Sequence, residues 1–180
     1  MTKHNLICHP AASSTAVTGL LVEFQPLPEG RLRLRYELTG DLTQLRIPEP
    51  QAPAAVDGLW EHSCFEAFIG VEGDADYHEF NFSPSGQWAA YAFSDYRVRS
   101  PWIVNLAPTI RFTQTDGYLL LEAEIAAADL PPNREDKPYQ LGLTAVLEAN
   151  DGSRSYWALH HPEACPDFHH RAGFILPFKE

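Results

Sequence analysis

The sequence predicts an all-β protein, folded as an antiparallel sandwich of two sheets. Short segments of alternating or β-branched and aromatic residues recur roughly every ten residues, and no apolar pattern keeps a helical period for three turns. Turn-forming sequences separate these segments at 28–30, 83–86, 115–117 and 150–153. Because the resulting hairpins follow one another without interleaved helices, a sandwich or jelly roll is favoured over an open sheet.

Ten strands are predicted from this pattern, and two segments interrupt it. The strands are expected at 17–24, 31–38, 64–71, 77–82, 87–93, 109–115, 118–125, 140–148, 155–160 and 174–178. The proline-rich segment 47–57 and the segment 126–138 are expected to be long loops.

Length and charge limit the classes of function that the chain can have. The 180 residues are expected to form one domain, 1–180, large enough to bury a core without disulfides. With 24 acidic and 13 basic side chains the formal net charge is −11, and no stripe of Lys and Arg is present. The chain therefore lacks the positive surface that nucleic acid or an anionic membrane requires, and neither is an expected partner.

Cysteine usage and the amino terminus predict a cytoplasmic protein. No continuous apolar run of the kind found in signal peptides occurs before residue 20. The three cysteines, Cys8, Cys64 and Cys165, are an odd number without a Cys-x-x-Cys pair, which is typical of free thiols in a reducing compartment. The oligomeric state is left open by the sequence.

Hydrophobic register in the first central hairpin predicts which side chains share a face. If strand 64–71 pairs with strand 77–82 through a short loop, Phe65 and Phe80 fall on an apolar core face. The opposite face then carries Tyr77, Glu66 across from Asn81, and Glu79 across from Phe68. A slip of one residue would mix apolar and polar residues on both faces, so burial favours this pairing.

The next hairpin is expected to add an aromatic platform to the polar face. A turn centred on Pro84 and Ser85 would place Trp88 opposite Asn81, together with Ala90 and Ala92, and would place Ala89 and Tyr91 on the core face. The predicted ligand-binding residues are therefore Glu66, Tyr77, Glu79, Asn81 and Trp88. Aromatic rings stack on sugar rings, while carboxylates and amides bind their hydroxyls. The alternative is an ordinary solvent-facing sheet surface.

Several short motifs in this region carry a family resemblance. The Trp…Phe-Glu strand at 60–66, the Tyr-x-Glu-Phe strand at 77–80, the Ser-Pro-x-Gly turn at 83–86 and Pro-Asp-Phe-His at 166–169 resemble the DOMON-like superfamily. Within it the chain is most similar to family 9 carbohydrate-binding modules. The resemblance implies an immunoglobulin-like or jelly-roll sandwich that binds a carbohydrate or sugar-like small molecule without catalysis, through Glu66, Glu79, Asn81 and Trp88.

Three other functions compete with sugar binding. Glu66 and Glu79 could act as the carboxyl pair of a glycoside hydrolase. The polar sheet face could instead bind a protein partner. His160, Cys165 and His169 could converge on zinc, although two prolines and an irregular spacing argue against it. No nucleophile elbow or phosphate loop is present, and no catalytic residue, metal or cofactor is predicted. The sequence leaves open whether the Asp-rich turn at 72–76 binds calcium.

Overall fold

The computed structural model, which describes residues 2–179, is an antiparallel β-sandwich, as the sequence predicts. Five strands form one sheet in the order β1-β3-β4-β10-β9. Their bounds are β1 His4–Asn5, β3 Val17–Pro26, β4 Leu32–Gly40, β9 Thr109–Thr115 and β10 Tyr118–Ile125. Within residues 2–179, no helix is long and apolar enough to cross a membrane.

The second sheet has eight strands and carries the candidate site. Its order is β2-β12-β11-β5-β6-β7-β8, and β13 also pairs with β11. The bounds are β2 Ile7–Cys8, β5 Cys64–Val71, β6 Tyr77–Phe82, β7 Trp88–Asp95, β8 Val98–Ser100, β11 Tyr139–Glu148, β12 Arg154–Ala158 and β13 Leu176–Phe178. β5 and β6 therefore lie near the middle of this sheet.

The main core lies between the two sheets. Side chains alternate between core and solvent along β4 and β10, so that Leu34, Tyr36 and Leu121 face the other sheet and are buried. Phe65 of β5 packs against Tyr36 with ring centroids 5.1 Å apart. The Tyr36 hydroxyl donates a hydrogen bond of 2.7 Å to the carbonyl of Glu66, which ties the two sheets together.

A second, smaller cluster covers the outer face of the eight-stranded sheet. It contains Phe68, Tyr77, Phe93 and Phe174, with Phe168 packed against it. Phe168 and Phe174 belong to the segment that precedes β13, and this segment lies over β5 and β6. Every residue of these two strands is consequently buried, on both faces. The outer face is thus a second layer of structure, not the solvated surface that an ordinary sandwich sheet presents.

The predicted strands are confirmed, and three short ones were missed. β5, β6, β9 and β10 begin and end at the predicted residues, and the other six differ at one or both ends by one or two residues. The missed strands β1, β2 and β8 have two or three residues, too few for an alternation pattern. The segments 47–57 and 126–138 lack strands, as expected, apart from an isolated bridge at Ala55.

The register of the first central hairpin is confirmed, whereas that of the second is wrong by one residue. Glu66 pairs with Asn81 and Phe68 with Glu79, as predicted. Trp88, however, pairs with Phe82. Ser83 and Gln87 close the hairpin with a 3.0 Å hydrogen bond, which leaves a three-residue loop where four were expected.

The corrected register exchanges the two faces of β7. Gly86, with φ 88°, supplies the left-handed position that a three-residue hairpin loop needs. Trp88 and Ala90 consequently lie on the face of Phe82, and Ala89 and Tyr91 lie on the face of Glu79. The aromatic residues of β7 that share the polar face are therefore Tyr91 and Phe93, and not Trp88.

Candidate functional site

The outer face of the eight-stranded sheet contains a cavity of about 560 Å³. Its walls come from the central strands, from the β7–β8 hairpin, from β12 and from the segment before β13. The lining residues are Trp60, Glu66, Phe68, Glu79, Phe93, Arg97, Arg99, Val146, Arg154, Tyr156, Pro166, Phe168 and His169. The cavity is large enough for a small-molecule ligand.

Two carboxyl groups form the polar part of the cavity. Glu66 of β5 is 2% exposed and Glu79 of β6 is 5% exposed, yet both line the cavity. The Thr144 hydroxyl donates a 3.2 Å hydrogen bond to Glu66 Oε2. Asn81 Nδ2 donates a 3.0 Å hydrogen bond to Glu79 Oε1, whereas Asn81 Oδ1 is buried without a partner in the described part of the chain. The strand alternation places all these groups on one face.

Burial favours the protonated form of both carboxyl groups. Desolvation raises the pKa of Glu66 well above its usual range, and the neighbouring Glu79 adds to the shift. Desolvation also raises the pKa of Glu79 to about 7, against the opposing effects of Asn81, Arg99 and Arg97. The pair can therefore both donate and accept hydrogen bonds at neutral pH, because a protonated carboxyl retains acceptor capacity.

His169 joins the pair from the segment before β13. Its Nδ1 lies 2.8 Å from the Tyr77 hydroxyl, which also accepts a 3.1 Å hydrogen bond from the backbone N–H of Arg97. The hydroxyl is thus placed to donate to Nδ1. Burial and the nearby Arg97 lower the pKa of His169 to about 4, so the ring is neutral at pH 7. In that tautomer Nε2–H faces Glu79 Oε2 at 3.7 Å.

Aromatic rings supply the apolar walls. Phe68 and Phe93 rise from the sheet beside the glutamates, and Tyr156 packs edge-on against Phe168 with centroids 6.1 Å apart. Trp60 lies at the mouth, half-buried. Such walls can contact the C–H face of a flat ring while the carboxyl groups hold its hydroxyls.

Arginines line the mouth of the cavity. Arg97, at the turn of the β7–β8 hairpin with φ 55°, makes a 2.8 Å ion pair with Asp167. The same carboxylate accepts a hydrogen bond from the backbone N–H of His169. Asp167 therefore fixes the β7–β8 turn to the segment that carries His169. Arg99 and Arg154 are exposed and line the cavity as well.

The structure brings together only part of the predicted site. Glu66 and Glu79 share one face of the sheet, as predicted, and both line the cavity. Asn81 and Tyr77 lie on the predicted face but are fully buried, where they hold Glu79 and His169. Trp88 is on the opposite face, because the hairpin loop is one residue shorter than expected.

Other cavity residues were missed by sequence reasoning. These residues are exposed or half-buried, and no local sequence pattern marks them as site residues: Arg97 in the β7–β8 turn, Arg99 in β8, and Arg154 and Tyr156 in β12. His169 and Phe168 lie in the Pro-Asp-Phe-His motif that supports the resemblance. This motif is the one local signal that points to them.

The histidine-rich segment does not assemble the zinc ligands considered above. Among residues 2–179, no group of three or more His, Cys, Asp or Glu side chains could hold a metal ion. His169 reaches the cavity, while Cys165 is exposed. Cys8 and Cys64 are also free thiols.

Fold and site together define a β-sandwich with a ligand-sized, aromatic-walled cavity on one sheet. No protein-family profile matches the chain, and no curated protein matches it. Solved structures with a similar fold exist. A proposed carbohydrate-binding protein from Bacteroides uniformis has a TM-score of 0.72 at 14% sequence identity, and the match covers 99% of this chain and 87% of that one.

Two further structures are of a family 9 carbohydrate-binding module from Caldicellulosiruptor kristjanssonii. The complex with cellotriose has a TM-score of 0.53 at 11% identity and covers 98% of this chain and 82% of the module. The complex with glucose has a TM-score of 0.51 at 10% identity, and the match covers 87% of this chain and 74% of the module. At these identities the likeness establishes the shared fold.

Proposed function

We propose that the chain is a non-catalytic binding protein for a carbohydrate or a sugar-like small molecule. One observation carries the proposal: two buried carboxyl groups, Glu66 and Glu79, line an otherwise largely aromatic cavity of about 560 Å³. A few convergent polar groups within apolar walls are typical of small-molecule sites. The fold shared with proteins described as carbohydrate-binding supports the choice of ligand class.

Each part of the cavity has a role in this proposal. The glutamates accept hydrogen bonds from ring hydroxyls, and their protonated forms also donate. Phe68, Phe93 and Tyr156 contact the apolar face of the ring. Because the buried Asn81 amide holds Glu79 by a hydrogen bond, this part of the site is preorganised and loses little entropy on binding.

A thermal-shift screen against monosaccharides and oligosaccharides tests the proposal. A ligand present at about 100 times its Kd adds roughly 2.7 kcal/mol to the free energy of unfolding, which raises Tm by several degrees. We expect Glu79→Gln and Tyr156→Ala to lose the shift. Glu49→Gln, a change at an exposed glutamate that does not line the cavity, should retain the shift. A shift that survives in the first two variants would place the ligand elsewhere.

Glycoside hydrolysis is the second candidate function. A carboxyl group with a raised pKa beside a second carboxyl group is the arrangement that a general acid requires. Turnover of aryl glycosides that disappears in both Glu66→Gln and Glu79→Gln would favour the hydrolase. Binding without turnover by the wild-type protein would favour the binding protein.

Two further assignments belong to this proposal. Membership of the DOMON-like superfamily is supported by the motifs at 60–66, 77–80 and 166–169. A cytoplasmic location is supported by the three free thiols.

A further inference from the structure

The mouth of the cavity is unusually rich in positive charge for this protein. Acidic side chains outnumber basic ones by 24 to 13, yet three arginines line this one cavity. Arg97 and Arg99 come from the β7–β8 hairpin at one edge of the sheet, and Arg154 begins β12 on the other side of β5 and β6. The two central glutamates therefore lie between arginines on both sides.

Arg99 is held in position while its hydrogen-bond donors remain available. Its guanidinium carbon lies 4.0 Å from the centroid of the Tyr91 ring and 5.7 Å from that of Trp60. Tyr91 is itself fixed by a hydrogen bond from its hydroxyl to Asp57. A guanidinium stacked on aromatic rings uses its faces, so that the N–H groups at its edge can bind an anion in bidentate fashion. Among residues 2–179, the Arg99 guanidinium makes no hydrogen bond or ion pair.

Arg154 is likewise without a hydrogen-bonding or ionic partner in the described part of the chain, whereas Arg97 is paired with Asp167. In the described part of the chain, neither carboxyl group of the cavity forms an ion pair with Arg99 or Arg154, and burial raises the pKa of both Glu66 and Glu79. The cavity thus holds two guanidinium groups without an ion-pair partner, within a protein whose formal net charge is −11.

We propose that the ligand of this cavity is an acidic carbohydrate, whose anionic group binds Arg99 while its ring hydroxyls meet Glu66 and Glu79. The inference rests on the proposed function and makes it specific, since an unpaired, preorganised guanidinium binds an anionic group more strongly than a neutral hydroxyl. Arg154 adds attraction at longer range, because positive side chains that line a cavity raise the local concentration of anions. A carboxylate and a phosphate share the chemistry that a guanidinium recognises, and the experiment separates them.

Calorimetric titration of matched sugars tests the proposal. The pairs are glucose with glucuronate and galactose with galacturonate, and glucose 6-phosphate provides the phosphate arm. We expect the acidic member of a pair to bind about tenfold or more tightly than its neutral partner. Arg99→Gln should abolish that preference, with the larger loss of affinity for the acidic sugar, and Arg99→Lys should restore part of the preference. Arg111→Gln, at an exposed arginine of the other sheet, should change neither affinity.

The possible results separate this inference from the proposed function. Neutral sugars that bind as tightly as acidic ones would overturn the acidic ligand and leave carbohydrate binding intact. Absence of binding by every sugar would overturn both. Inorganic phosphate that binds as tightly as glucose 6-phosphate would also overturn the proposal, because the sugar ring would then contribute nothing. A preference that persists in Arg99→Gln would contradict the assignment of the anion to that residue.

Discussion

Glu79→Gln should stabilise the folded protein, and the gain should grow with pH. The folded carboxyl group is desolvated, and its pKa is raised from 4.5 to about 7. Between these values the folded protein holds a proton that the unfolded chain has released, so the stability of the wild-type protein falls as the pH rises through this range. Above this pH range, the folded state carries a buried carboxylate, and its full desolvation cost lowers the free energy of unfolding. Glutamine avoids that cost and keeps an oxygen for the hydrogen bond from Asn81.

The size of the effect follows from the difference between the folded and unfolded pKa of Glu79. A tenfold change in a protonation equilibrium corresponds to about 1.4 kcal/mol, so the fully developed cost is of the order of 3 kcal/mol. The cost is about 1 kcal/mol at about pH 5, where the Glu79 carboxyl group is largely ionised only in the unfolded chain, and about 3 kcal/mol at about pH 8. The substitution also removes the charge of Glu79 that raises the pKa of Glu66. The loss of this repulsion stabilises the folded variant further.

Urea unfolding of the wild-type protein and the variant at these two pH values measures the difference. The variant should gain about 2 kcal/mol more at the higher pH than at the lower one. Glu49→Gln, at an exposed position, controls for the change in net charge. A variant that is less stable than the wild-type protein at about pH 8, or equally stabilised at both pH values, would refute the reasoning.

Two further predictions concern the supports of the fold. Gly70→Ala should lower the free energy of unfolding by about 1–3 kcal/mol, measured by chemical denaturation. The added Cβ would overlap Arg171 Nη1 and displace a guanidinium that binds two backbone carbonyls. In an Arg171→Ala background the loss should be smaller. Asp129→Ala should lower the free energy of unfolding by a similar amount, about 1–3 kcal/mol, and should speed amide hydrogen exchange in the 101–108 loop. The reason is that this buried carboxylate accepts hydrogen bonds of 2.6 and 3.0 Å from the backbone N–H groups of Asn105 and Leu106. Unchanged exchange in that loop would contradict its anchoring role.

The fold and half of the polar site could be predicted because they depend on local patterns. Period-two alternation assigned Glu66 and Glu79 to one face, since any other register would have buried polar residues in the core. Trp88 was assigned to the wrong face because register beyond a turn depends on loop length. Nothing in a Ser-Pro-Ser-Gly-Gln sequence distinguishes a three-residue from a four-residue loop until the Ser83–Gln87 hydrogen bond is known.

The remaining cavity residues depend on contacts between distant parts of the chain. His169 is 92 residues from Tyr77, and its position results from the packing of Phe168 and Phe174 over β5 and β6. Arg99 lies in a three-residue strand whose position follows from its pairing with β7. Such positions are set by tertiary packing, which no periodicity in a single segment encodes.

The location of a bound ligand tests the central claim most directly. A crystal structure of the protein with the best sugar from the thermal-shift screen should show the ring on the outer face of the eight-stranded sheet. We predict hydroxyl oxygens within hydrogen-bond distance of Glu66 and Glu79 and an aromatic wall against the ring. A sugar bound beside Trp88, or anywhere outside this cavity, would contradict the account.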